Sequence, residues 1–337
     1  MLATIAKRLF AAIPSLVGVV VVTFVLTRAL PGDPAAYFAG PSATVEAVEQ
    51  VREKLGLNAS LPKQFARYVV DLVHGDWGES HSTGQPVLTE LVQRLPASLE
   101  LTLCGLLIAA VIAVPLGILA ATRPGSWVDH GCRLLTTAGV SLPTFFTGLL
   151  LSYIFYFLLG WAPAPLGRLD PYLSAPASVT GFYLIDSLIA GDWEVFVASA
   201  RQLVLPAVTM GLFVMAPLAR MTRAAMLGVL SSDFIRTARA SGLAKRTILY
   251  KYAFRNALLP VVTTMGMVFS FMLGSNVLVE KVFAWPGIGS YAIEALTSSD
   301  YAPVQGFVLT MAVLYVLLNL AVDLTYTVID PRVSLDG

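Results

Sequence analysis

Residues 233–256 read DFIRTARASGLAKRTILYKYAFRN, and they decide how the rest of the chain is read. Six of the 22 Lys and Arg of this 337-residue chain fall in these 24 positions, against one acid, Asp233. Apolar stretches long enough to cross a bilayer lie on both sides of it. Read as a helix, DFIRTARASGL brings Phe234, Thr237, Ala238 and Ser241 to one face at i, i+3, i+4 and i+7, with Arg236 and Arg239 to the side. Small residues on such a face let another surface approach the backbone closely. Gly242 permits a turn that other residues resist. The run AKRTILYKYAFRNALLP then resumes helical spacing and enters an apolar segment. The pattern predicts a short helix, a glycine corner and a basic helix feeding a membrane span, an element suited to docking a partner outside the bilayer. A loop that only sets topology and touches anionic lipid needs the charge alone. It needs neither the patterned small residues nor the glycine.

Outward from this stretch the composition is that of a membrane protein. Hydrophobic residues make up 56% of the chain and charged residues 13%, and the mean hydropathy is +0.75. A bilayer accepts that much apolar surface, whereas a soluble fold would have to hide it. The fold class expected is all-α, a polytopic membrane protein with six transmembrane helices. The spans are placed at 9–30, 97–121, 134–159, 203–224, 260–282 and 304–328, each about the twenty residues that cover the hydrocarbon. Pro14, Pro115 and Pro143 fall inside them as tolerated kinks. Lys7 and Arg8 precede an apolar run too long for a signal-peptide core, so that run is read as a retained first span.

Orientation follows the basic residues of the loops. Segment 217–259 holds eight basic residues and one acid. Loop 31–96 holds five bases against eight acids, and loop 160–200 holds Arg168 against four acids. Both termini are therefore expected in the cytoplasm, and the opening stretch with them. In loop 31–96, TVEAVEQVREKLGL predicts an amphipathic helix stopped at Gly56 and Asn58, and LPKQFARYVVDLVHGDWGES a second helix and a turn. GFYLIDSLIA, 181–190, is too short to span and is expected as an interfacial or loop helix.

Chemistry is sparse. Cys104 and Cys132 form no framework for a disulfide or a metal, and on this topology they lie near opposite faces. His74 and His81 flank HGDWGESH, which offers too few ligands for a metal site. There is no G-x-x-x-x-G-K-[ST] phosphate loop and no G-x-S-x-G nucleophile turn, so neither ATP binding nor catalysis is expected of this chain. Energy must then come from a partner or an ion gradient.

The opening stretch resembles the cytoplasmic coupling loop, often called the EAA loop, of type I ABC importer permeases. RTARASGL and RNALLPVVT are similar to the version in dipeptide, oligopeptide and nickel permeases. LPGDP at 30–34, HGDWGES at 74–80, RLPASLELTL at 94–103, VFAWPGIG at 282–289 and IDPRV at 329–333 resemble the same branch in the same order. TGFYLIDSLIAGDW looks most like the dipeptide members. The chain departs from the general loop in having Arg236, Thr237 and Ala238 where that loop has Glu-Ala-Ala. Ser241 and Tyr252 stand where the peptide branch often has Lys and His.

What the resemblance implies is a type I ABC importer permease fold and a division of labour. A homologous second permease completes the membrane path, two cytoplasmic ATPases bind ATP and Mg, and an extracytoplasmic binding protein delivers cargo. No cofactor and no nucleic acid belongs to this chain itself, and its other neighbour is membrane lipid. The site is a bacterial inner membrane. Phe234, Arg236, Thr237, Ala238, Arg239, Ala240, Ser241 and Gly242 would form the ATPase-coupling element. The chain would divide into a first span at 1–31, an extracytoplasmic helical region at 32–95, a transmembrane core at 96–328 with its coupling loop at 228–259, and a cytoplasmic tail at 329–337. The cargo implied is di- or oligopeptide, with nickel, glutathione and haem as alternatives.

Ionisable residues inside spans are suspects for a translocation path. Asn319 and Asp323 share a face of the last span, and Asp323 either faces the path or pairs with Arg220 or Arg223. Asn276 and Glu280, one turn apart on the fifth, either face cargo or form an ion pair. Glu100 is expected at a helix start, where the dipole favours an acid. Trp285, Tyr291 and Tyr301 are expected in the interfacial belt. The competing reading is a secondary transporter driven by protons or sodium with Asp323 as its coupling carboxylate. Such proteins often carry inverted repeats and ten or more spans, and neither is evident here.

Overall fold

The computed structural model describes residues 2–29, 35, 39, 43–54 and 56–329. The LPGDP motif at 30–34 and positions 330–337 of the tail lie outside these. Among the described residues all regular structure is helical, apart from one isolated bridge between Glu79 and Pro86.

The helices run in chain order as α1 (Leu2–Ala29), α2 (Val45–Lys54), α3 (Leu61–Val73), α4 (Val87–Thr122), α5 (Trp127–Ser141) and α6 (Thr144–Ser152), which a π-helical turn extends over Tyr153–Leu158. They continue as α7 (Tyr183–Ala190), α8 (Trp193–Leu230), α9 (Asp233–Ala240), α10 (Lys245–Val282), α11 (Ile288–Thr297) and α12 (Tyr301–Ile329). By length and hydropathy α4, α8, α10 and α12 can each cross a membrane, and α5 with α6 makes a fifth span if the bent pair counts as one. In α1 the apolar part is Phe10–Val25, which is shorter than those helices and falls below the length that marks them as spans. The expected six spans thus correspond to six helical regions, four of them long enough without qualification.

The expected single span over 134–159 is broken. α5 ends at Ser141, Leu142 is extended (φ −107°, ψ 144°), and Pro143 starts α6 at an angle of 95° to α5. The ring of a proline clashes with a helical residue before it, so Leu142 leaves the helix. Six other prolines lie inside continuous helix: Pro14, Pro96, Pro115, Pro206, Pro217 and Pro260. Helices α4, α8 and α10 also outrun the apolar windows that located them. Their ends carry polar and charged residues that hydropathy alone leaves out.

The described residues fall into two compact units. In the first, residues 1–95 with 291–316, Phe24 of α1 packs against Phe65 and Tyr68 of α3, with ring centroids 5.2 and 5.7 Å apart. The turn of the HGDWGES motif is fixed by Asp300, which accepts from Ser80 Oγ at 2.8 Å and from Ser82 N–H at 2.9 Å. Tyr291 is buried and not in an interfacial belt. Its hydroxyl donates to Glu90 Oε2 at 2.6 Å, and Arg94 lies 4.8 Å over its ring.

The second unit, residues 96–290 with 317–329, is built around α8, which is the most enclosed of the long helices. Asp192 caps its start, accepting from Val195 N–H at 3.0 Å, just after Gly191 ends α7 in the left-handed region at φ +69°. Helices α5, α6, α7 and α10 pack on α8. Small residues set the spacing. A Cβ on Gly117 of α4 would come within 2.8 Å of the Ala219 carbonyl oxygen of α8, closer than real contacts allow. At one end of α5, buried Asp129 accepts from Arg223 Nε and Nη2 of α8, both at 2.7 Å. Arg223 is therefore engaged by Asp129 in a bidentate pair.

Candidate functional site

The candidate coupling element is built from local signals. Asp233 supplies an acid to the first turn of α9, where the helix dipole favours it. At the other end Leu243 N–H donates to Ala238 O at 3.3 Å and Gly242 N–H to Arg239 O at 3.0 Å, with Gly242 at φ +73°. This is the Schellman arrangement, in which the residue after the cap must be left-handed. Nothing crowds a Cβ at Gly242. The glycine is required by backbone conformation and not by space.

α9 has two faces. Ile235 is wholly buried and Ala238 is 8% exposed, in one apolar cluster with Ile118 of α4, Met226 of α8, and Ile248, Ala253 and Ala257 of α10. The short helix is thus keyed to the ends of three long ones. Phe234 is 45% exposed, and Arg236, Thr237, Arg239, Ala240 and Ser241 face outward with it. The helical spacing groups Ala238 with the outward set, but its side chain points into the body. Ala238 shares a face with Ile235 three residues earlier, and side chains from α4, α8 and α10 cover both. Arg236 lies 3.4 Å from Asp233 on the exposed surface.

α10 does not continue as a regular helix from the corner. Over Ile248–Phe254 it is π-helical, and Ile248 and Ala253 in that stretch belong to the cluster under α9. π-helical segments inside α-helices are unusual and recur at functional sites. Farther along α10, Phe269, Met272 and Leu273 are buried, and Gly266 meets Val322 of α12 with no room for a Cβ.

The four path candidates separate. Asn276 and Glu280 are buried at 1% and 0% exposure, so neither lines a surface of this chain. Glu280 accepts from Ser98 Oγ at 2.5 Å, Asn276 Nδ2 at 2.9 Å and Ser290 N–H at 2.7 Å. Lys281 points outward while this carboxylate turns in. Asn319 is exposed on α12 and Asp323 half-buried one turn later. Tyr326, on the same helix, donates its hydroxyl to Thr263 Oγ1 at 2.7 Å.

Around Glu280 two of the sequence motifs meet. RLPASLELTL supplies Ser98, whose hydroxyl also accepts from Ile288 N–H at 2.9 Å. VFAWPGIG supplies Trp285, buried rather than interfacial, whose Nε1 donates to Ala97 O at 2.8 Å. A Cβ on Gly287 would overlap both Glu280 and Ser98 Oγ, so the loop can close only on glycine. Glu100 lies well inside α4, which begins at Val87, and not at a helix start. Its carboxylate is paired with Arg168 and accepts from Leu184 N–H at 2.9 Å, tying α7 and its preceding loop to α4. The signal that could have located these contacts was a pair of acids in apolar helix and one lone basic residue in an acidic loop.

Comparison with known proteins gives a consistent picture. The family described as binding-protein-dependent transport system inner membrane component matches residues 113–335, and its N-terminal component matches residues 1–102. The chain is 46% identical over 320 residues to the probable D,D-dipeptide transport system permease protein DdpB of Escherichia coli K12, covering 95% of this chain and 94% of that one. It is 41% identical to the di/tripeptide transport system permease protein DppB of Pseudomonas aeruginosa, covering 99% of each. Among solved structures, an inward-facing conformation of the MetNI methionine ABC transporter is similar at a TM-score of 0.53 and 20% identity, covering 73% of this chain and 98% of that one. That likeness speaks to fold alone.

Proposed function

The chain belongs to the family of binding-protein-dependent transport system inner membrane components, and on that premise we propose that it is the permease subunit of an ATP-driven importer of dipeptides or oligopeptides. The observation that carries the mechanism is the keying of α9, through Ile235 and Ala238, into the ends of α4, α8 and α10. A short helix held at three points moves with the helices it touches. Its outer face, with Phe234, Arg236, Thr237 and Ser241, is left to a cytoplasmic ATPase.

ATP and Mg bind to the two ATPase subunits, and this chain needs neither cofactor nor metal of its own. A homologous second permease completes the path, and an extracytoplasmic binding protein delivers cargo. The core is taken as 96–328, with 228–259 as its coupling loop, and both termini lie in the cytoplasm of a bacterial inner-membrane protein. ATP shifts the balance between inward-open and outward-open states only so far as it binds the two with different affinity. α10 carries that shift into the bundle. The similarity to di- and tripeptide permeases supports peptide cargo, and Asn319 and Asp323 on α12 are the candidates left to face the path.

The experiment is uptake by vesicles holding the reconstituted complex. Uptake of a labelled dipeptide must require internal ATP on the ATPase side and must survive collapse of proton and sodium gradients. Gly242→Pro, which cannot take a positive φ and lacks the N–H that Arg239 O accepts, should abolish uptake while ATP hydrolysis continues. Uptake that follows the ion gradient and ignores ATP sinks the reading.

A further inference from the structure

Glu280 is wholly buried near the end of α10 remote from α9. Both of its carboxylate oxygens are held. Oε1 accepts from Ser98 Oγ of α4 and from Asn276 Nδ2 of α10, and Oε2 accepts from Ser290 N–H in the first turn of α11. The dipole of a helix start favours an anion there. Ser98 Oγ in turn accepts from Ile288 N–H, so one buried carboxylate and one hydroxyl join three helices. Hydrogen bonds to a charged acceptor are the strong ones, and a dry surrounding strengthens them further.

Helices α4 and α10 are joined again at the end that carries α9. There Ile118 of α4 shares one apolar cluster with Ile248, Ala253 and Ala257 of α10. Between the two ends, Gly105 of α4 lies so near α10 that a Cβ would stand 2.9 Å from Met272 Cε. Ser98 to Ile118 is about 30 Å of α4 and Ala257 to Glu280 about 35 Å of α10, so the three joints fall in matching order along an antiparallel pair. A helix displaced at one end carries its neighbour along only if the two do not slide past each other. Sliding at the remote end would strip a buried carboxylate of its donors, which costs far more than repacking apolar side chains.

We propose that Glu280 is a positioning residue for transport: it locks the remote end of α10 to α4 and to the start of α11, so that α4 and α10 move as one lever when α9 is displaced. This role rests on the coupling reading of α9 and adds to it the joint that carries the motion across the bundle. Ser98 is the other half of that joint. Gly287 lets the loop close on both, since a Cβ there would overlap Glu280 and Ser98 Oγ alike.

The test uses the full complex in vesicles, unaltered and with Glu280→Gln. Glutamine has the size of glutamate but presents an amide N–H₂ where every donor needs an acceptor, so it must lose either the Ser290 contact or those of Ser98 and Asn276. Uptake of a labelled dipeptide should fall about tenfold or more, the worth of one hydrogen bond to a charge. ATP hydrolysis measured without cargo should stay close to that of the unaltered complex. Ser98→Ala should show the same split, and Ser98→Ala/Glu280→Gln should be no worse than Glu280→Gln alone, because one joint is lost only once. Unchanged uptake in Glu280→Gln overturns the proposal, as does an equal loss of uptake and ATP hydrolysis, which marks a purely structural contact.

A second readout needs no variant to fold. In the unaltered complex the amides of Ile288 and Ser290 should be equally protected from hydrogen exchange without nucleotide and with ATP held by hydrolysis-deficient ATPase subunits, because the joint stays closed throughout. Protection lost in either state overturns the proposal. If uptake by the unaltered complex ignores ATP, the coupling reading of α9 falls and this role with it. If that uptake is driven by ATP and Glu280→Gln matches it, only the role of Glu280 falls.

Discussion

Arg168 Nη2 lies 2.6 Å from Glu100 Oε2, and both side chains are buried. The same guanidinium donates to Gly181 O at 2.8 Å and stacks 3.6 Å from the Tyr183 ring centroid. One arginine thus fastens the loop before α7 to the middle of α4. Removing one partner leaves a buried charge alone, which costs about 3–5 kcal/mol, whereas replacing both with apolar residues of similar size costs far less. Glu100→Ala should therefore lower the thermal midpoint of the purified chain strongly, and Glu100→Leu/Arg168→Met should recover most of the loss. A double variant as unstable as the single one argues against the pair as the cause.

The two faces of α9 should separate in their effects. Ile235→Ala removes a fully buried side chain, which costs about 2–5 kcal/mol, and should lower stability before any partner is present. Phe234→Ala removes a half-exposed ring and should leave the midpoint almost unchanged while weakening ATPase association in a pull-down. Equal thermal losses in the two variants would contradict the assignment of faces.

Gly117 predicts a packing failure. An added Cβ meets Thr222 and the Ala219 carbonyl of α8, and backbone cannot step aside as a flexible side chain can. Gly117→Val should reduce the folded yield far more than Gly125→Val, where nothing lies within 4 Å and only the positive φ resists. Monodisperse material on size exclusion, scored for both variants, reads the difference.

Asp186 gives a pH dependence. Burial alone raises its pKa, but the hydroxyl of Thr180 and the N–H groups of Thr180, Gly181 and Val179 donate to the ionised carboxylate and outweigh it, so the folded value lies below the ordinary one. The folded state therefore binds this proton less readily than the unfolded chain. Its contribution is present above the unfolded value of about 3.9 and is lost as pH falls through the lower folded value. Amide protection at Thr180 and Gly181 should fall on acidification through that window, and Asp186→Asn should be poorly protected at every pH. Matching profiles for the two proteins would remove Asp186 as the cause.

The sequence by itself determined the class of this protein. Long apolar runs, the bias of Lys and Arg among the loops, and the glycine that ends α9 are local properties, and local physics acts on each without knowledge of the rest. The short helix, its corner and the basic helix behind them were legible for that reason, and Gly242 takes the left-handed conformation its position implied. Only the tertiary structure decided which side of each helix is inside. Ala238 shares its spacing with Phe234 and Thr237 yet faces inward, because Ile118, Met226 and Ile248 arrive from other helices to cover it. Glu280 and Glu100 look like path or helix-end acids when only their neighbours in the chain are seen. Among their hydrogen-bond partners, Ser98 stands 182 residues from Glu280 and Arg168 68 residues from Glu100, and a buried carboxylate is explained only by the donors that surround it.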